Sequence, residues 1–186
     1  MNAWTAMVMV VALFVVGALV WAYIQRQRTG QLRHRFGPEY DHVVQERGSL
    51  TKAESELVER AKRISKLSIR PLTPGERSHY AELWKMEQAR FVDDPRDAVH
   101  RADHLVEEVM KLRGYPMADF EQRAADISVD HPLLVEHYRS AHDIATRNSR
   151  GQADTEDLRR AMISYRSLFE DLLEDRPAVV DIRRAG

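Results

Sequence analysis

Between residues 3 and 24 the chain carries no charged side chain, and Thr5 is the one clearly polar residue in that stretch. As a helix, those 22 residues would extend about 33 Å, against a hydrocarbon core of about 30 Å. Trp4 lies near one end, with Trp21 and Tyr23 near the other, where amphipathic rings favour the two lipid–water boundaries. The expectation is a single transmembrane helix over residues 1–24. A cleaved signal peptide would need a basic start and a shorter apolar stretch, and this chain has neither.

Charge sets the expected orientation. Arg26, Arg28, Arg33 and Arg35 follow the apolar stretch before the first acid, Glu39, and no Lys or Arg precedes it. The positive-inside rule then places the N-terminus outside a cell membrane and the following domain in the cytoplasm. Each arginine would gain about 1 kcal/mol beside anionic headgroups, so residues 25–36 read as a basic juxtamembrane segment. Gly17, Ala18 and Ala22 form a small-residue pattern that can seat a second copy, giving a homodimer.

Beyond that segment the chain is ordinary globular material. With the four arginines set aside, 29 acidic groups face 24 basic ones, a poor balance for binding nucleic acid. The absence of cysteine excludes disulfides, thiolate metal sites and cysteine nucleophiles. Residues 37–176 carry repeated helical signals. Thr51 with Glu54 and Thr73 with Glu76 have capping-box spacing, and Asp94-Pro95, Asp130 and Asp154 or Thr155 read as further N-termini. Glu56 with Arg60 and Glu59 with Arg63 are spaced as i,i+4 pairs.

The apolar stripes are wide. Ala53, Leu57, Ala61, Ile64 and Leu67 share one face, and Ala98, Val99, Ala102, Leu105, Val106, Val109 and Met110 share another. Leu134, Tyr138, Ala141, Ile144 and Ala145 form a third. Leu158, Ala161, Met162, Tyr165, Leu168, Phe169 and Leu172 form a fourth. No stretch alternates as a strand would. The expected fold is all-α, a transmembrane helix followed by an antiparallel bundle of five or six helices, with residues 177–186 as a tail.

Five stretches stand out: Arg35-Phe36-Gly37-Pro38-Glu39-Tyr40-Asp41, Ala89-Arg90-Phe91-Val92-Asp93-Asp94-Pro95, Asp119-Phe120-Glu121-Gln122-Arg123-Ala124-Ala125-Asp126, Val129-Asp130-His131-Pro132 and Tyr165-Arg166-Ser167-Leu168-Phe169-Glu170. Together they resemble an uncharacterised bacterial family of small proteins. That resemblance implies one N-terminal transmembrane helix with a helical domain of unknown role, and no catalytic residues.

Chemistry is thin. His100 and His104, with Glu107 or Glu108 a turn on, have metal-ligand spacing, but they sit opposite the centre of the apolar stripe and should face water. Asp126, Asp130, His131, His137 and Tyr138, with His142 close by, form the densest candidate ligand or interaction cluster, with Asp130 most simply a helix cap. Tyr80, Trp84 and Phe91 read as core. No residue set specifies a catalytic centre, a metal site or a cofactor. The leading expectation is a membrane-anchored, non-enzymatic scaffold with the lipid bilayer and another protein as partners. Its rival is a small-molecule-binding or enzymatic domain with a pocket near His137 and Tyr138.

Overall fold

Two of those stripes organise the molecule. In α5 (Pro95–Arg113) and α8 (Thr155–Leu173), all seven apolar positions of each predicted stripe are buried. Burying one such aliphatic or aromatic side chain is worth about 1.5–3 kcal/mol, so these two faces supply much of the drive to fold. The computed structural model describes residues 3–174, with side chains between residues 3 and 11 described only for Trp4, Met7 and Met9. The predicted tail lies outside the described residues.

The other helices are α1 (Ala3–Phe36), α2 (Pro38–Arg47), α3 (Leu50–Ile64), α4 (Pro74–Asp93), α6 (Phe120–Asp130) and α7 (Val135–Ser149). Among the described residues there are eight helices and no strand, which establishes the all-α class. Seven helices follow α1 among the described residues, against the five or six expected. α5, α7 and α8 pack together and α4 lies against α5 and α8. α3 packs on α2 and α6, and α1 touches α2, α3 and α6.

Local chemistry sets the helix ends. Thr73 and Glu76 form the reciprocal capping box that their spacing predicts, with Pro74 in the first turn. Arg70 also grips Glu76 with two hydrogen bonds, and together these hold the Glu76 pKa down to about 2. Asp94 and Asp154 cap α5 and α8 through their carboxylates. Two predicted caps differ. Thr51 and Glu54 form no box: α3 begins at Leu50, and Glu54 instead accepts from Thr29 and Tyr40. Asp130 ends α6 rather than starting α7, because the Tyr115 hydroxyl donates to its carboxylate at 2.7 Å and a turn separates the two helices.

The predicted transmembrane anchor is corrected. Among the described residues no helix is long and apolar enough to cross a membrane. Nor does α1 end at the arginines: it continues to Phe36, which is fully buried in the body of the domain.

Gly114 closes α5 at φ +101°, a conformation that side-chain-bearing residues rarely adopt. A Cβ there would stand 2.9 Å from the Ser68 carbonyl oxygen. That crowding comes from the segment between α3 and α4, which Arg113 ties down. Its carbonyl accepts from the Arg70 N–H at 2.9 Å, and its guanidinium donates to the Arg70 and Leu172 carbonyls. Gly114→Ala is therefore expected to cost about 1–3 kcal/mol, read as a lower urea midpoint at unchanged slope. A midpoint equal to the parent would show that this junction is not constrained.

Candidate functional site

The described apolar part of α1 has no cover. Leu13, Phe14, Leu19 and Trp21 are 72%, 76%, 66% and 66% exposed, and Trp4 and Tyr23 are equally open. These side chains lie on every side of the helix, unlike the one-sided stripes of α5 and α8. Exposed apolar surface beyond a few hundred Å² marks a binding surface, and a helix apolar all round belongs in apolar surroundings. Gly17 lies in the same stretch, with nothing within 4 Å of a Cβ placed there.

Where α1 meets α3 the surface changes character. A half-open groove of about 420 Å³ runs between them. Arg28, Gln31 and Arg35 come from α1, and Thr51, Glu54 and Ser55 from α3, above a floor that includes Leu32 and Val58. Spacings of three and four residues put the α1 groups on one helical face. Glu54 Oε1 accepts from Thr29 Oγ1 at 2.6 Å and from the Tyr40 hydroxyl at 3.0 Å, which fixes α1 on α2 and α3. Of the other basic residues predicted here, Arg26 is exposed, and Arg33 reaches over the Tyr40 ring and to 3.9 Å from Asp41.

The predicted polar cluster does not converge. Asp126 is fully buried and accepts two hydrogen bonds from Arg63 of α3 and one from Gln122. Asp130 takes Tyr115, and buried His131 meets Asp171 of α8 through Nδ1. Tyr138 is buried with its hydroxyl accepting from Arg123 at 3.4 Å; burial pushes its pKa up to about 12 against the opposing pull of Arg123. His137, the neighbour expected at the core edge, is exposed. Asp126, Asp130, His131 and Tyr138 thus turn to separate partners, on α3, on the segment after α5, on α8 and on α6, rather than to one another. His104 is exposed, and Glu107 bonds Arg123 at 2.6 Å. Among the described residues no three His, Asp or Glu side chains are placed to hold a metal ion.

Two polar groupings had no local signature in the sequence. Glu39, 2% exposed, sits between two arginines: Arg60 donates to it at 2.7 Å, and Arg139 donates two bonds at 2.7 and 2.8 Å. Asp103 faces the buried Tyr165 and lies 3.9 Å from His142, whose ring stacks on Phe120 at 3.7 Å. Burial first, and the Asp103 charge second, raise the Tyr165 pKa far above its ordinary value. Both groupings join helices, the first through a buried carboxylate and the second through a half-buried one. Of the predicted aromatic core, Trp84 is buried and stacks on Phe169, while Tyr80 and Phe91 are half-buried.

The chain matches no protein-family model, no curated protein and no solved structure. The resemblance to a bacterial family with one N-terminal transmembrane helix is corrected accordingly: no family match supports it, and no described helix qualifies as the span it implies.

Proposed function

We propose that this protein is a non-enzymatic helical interaction module that attaches to lipid through the exposed apolar part of α1 and presents its helical body to a protein partner. The observation that carries this reading is the uncovered sleeve of large apolar side chains from Leu13 to Ile24. Covering a handful of them would return roughly 1.5–3 kcal/mol apiece, ample for stable attachment. Lipid is favoured over a protein groove because the sleeve is apolar on all sides, and a groove would leave part of it in water. Trp21 and Tyr23 stand where the sleeve gives way to Gln25 and Arg26, a position suited to rings at a lipid–water boundary. The polar interior supports a non-enzymatic role, since its buried carboxylates Glu39 and Asp126 are engaged by arginines that join helices.

Flotation of the full chain with phosphatidylcholine vesicles tests the attachment. The parent is expected to rise with the vesicles, and a variant carrying Phe14→Glu, Leu19→Lys and Val20→Glu to stay below. If the parent also stays below, the reading is wrong. The protein-partner half is read by crosslinking in cells: one dominant crosslinked protein supports it, and a spread of abundant bystanders counts against it.

A further inference from the structure

We propose that the groove between α1 and α3 holds the headgroup of an anionic phospholipid, an assignment that rests on the lipid reading above and names the lipid class it prefers. Arg28 and Arg35 face the cavity from two turns of one helical face, and neither is ion-paired among the described residues. Most bundle arginines, by contrast, are spent on carboxylates, as Arg60, Arg63 and Arg139 are. The groove's one acid, Glu54, has an oxygen committed to the Thr29 and Tyr40 hydroxyls, so the cavity keeps a net positive charge.

Arg28 and Arg35 stand seven residues apart, about 10 Å of helical rise, so they flank the groove and suit a diffuse anionic headgroup between them. Each can fork two N–H groups onto phosphate oxygens, which an ammonium would contact only as a point charge. Gln31, Thr51 and Ser55 supply the neutral donors and acceptors that a glycerol or similar polar headgroup needs. Leu32 and Val58 give an apolar floor, and one and two helical turns before Arg28 the surface becomes the sleeve at Ile24 and Trp21. A headgroup in the groove would therefore have its acyl chains leave along an apolar path. That continuity selects a lipid over a free phosphate ester.

The test compares the full chain on phosphatidylcholine vesicles with the same vesicles containing phosphatidylglycerol, at fixed salt. The parent is expected to bind the anionic vesicles about tenfold or more tightly than the neutral ones. Arg28→Gln with Arg35→Gln should remove most of that preference while leaving neutral-vesicle binding in place. Arg26→Gln with Arg33→Gln, an equal loss of charge outside the groove, should lose only the general headgroup attraction and keep at least about threefold more of the preference than the groove variant does. Equal losses in the two double variants would overturn the groove and leave only general charge attraction. Loss of neutral binding in the parent would instead sink the lipid reading itself. Soluble glycerol phosphate supplies the last arm: competition at millimolar concentration or below would assign the groove to a free phosphate ester and overturn the lipid assignment.

Discussion

Glu39→Ala is expected to destabilise the protein by about 3–5 kcal/mol, because it strands two guanidiniums in the interior. The carboxylate side chain is 1% exposed, and those of Arg60 and Arg139 are 7% and 17% exposed. The cost of taking these charges out of water is offset only while all three are together. Without the carboxylate, Arg60 retains Glu56 on its outer side, whereas Arg139 is left with the more distant Glu136 at 3.7 Å and the charge of Glu121. A domain of this size loses roughly 2–4 °C of Tm per kcal/mol, so the melting temperature should fall by about 10 °C. Arg139→Ala should couple to it: the double variant should lose less than the two single losses added, by about 1–3 kcal/mol. A loss below 1 kcal/mol in Glu39→Ala would show that the two arginines find water without unfolding.

The same triad predicts how stability responds to acid. Burial by itself would raise the Glu39 pKa, but the hydrogen bonds and charges of Arg139 and Arg60 outweigh it and hold the pKa below 4.5. A carboxylate whose pKa is lower when folded contributes stability that is fully present above its unfolded value. That contribution is lost as the pH falls through the folded value. The parent should therefore lose stability below about pH 4.5, and Glu39→Ala should show a shallower loss over that range.

What could be read in advance divides along the distance between interacting residues. The seven-residue stripes of α5 and α8, and the caps at Thr73, Asp94 and Asp154, are local patterns; helical geometry alone dictates which side chains share a face or reach a free N–H. Local pairing failed where a distant partner offered more. Arg63 leaves Glu59 for buried Asp126, 63 positions away, and Glu54 leaves Thr51 for Thr29 and Tyr40. Glu39 could not have been singled out, since its arginines lie 21 and 100 positions off. The site was legible only in part, for the same reason. Arg28 and Arg35 stood out by charge, but the groove exists because α3 folds back against them, bringing Thr51 and Ser55 opposite.

Phe169→Ala should have an effect of similar size through packing rather than charge. Phe169 is 1% exposed and stacks on Trp84 of α4, with ring centroids 4.6 Å apart and planes at 24°. It is thus a central contact between α8 and α4, which packs on the outside of the α5–α7–α8 core. Truncation removes the ring's transfer free energy and leaves a cavity. The neighbouring large side chains Tyr165, Leu168 and Leu172 are themselves fully enclosed and have little freedom to move into it. A loss of about 3–5 kcal/mol is expected, against less than about 1.5 kcal/mol for Phe169→Leu, which keeps most of the volume. Placing both changes in a background with Trp4→Phe and Trp21→Phe leaves Trp84 as the sole indole. Its near-ultraviolet dichroism should then weaken in Phe169→Ala before the global transition. An undiminished signal together with a midpoint near the parent's would mean that α4 is held by other contacts and that the stacked pair is incidental.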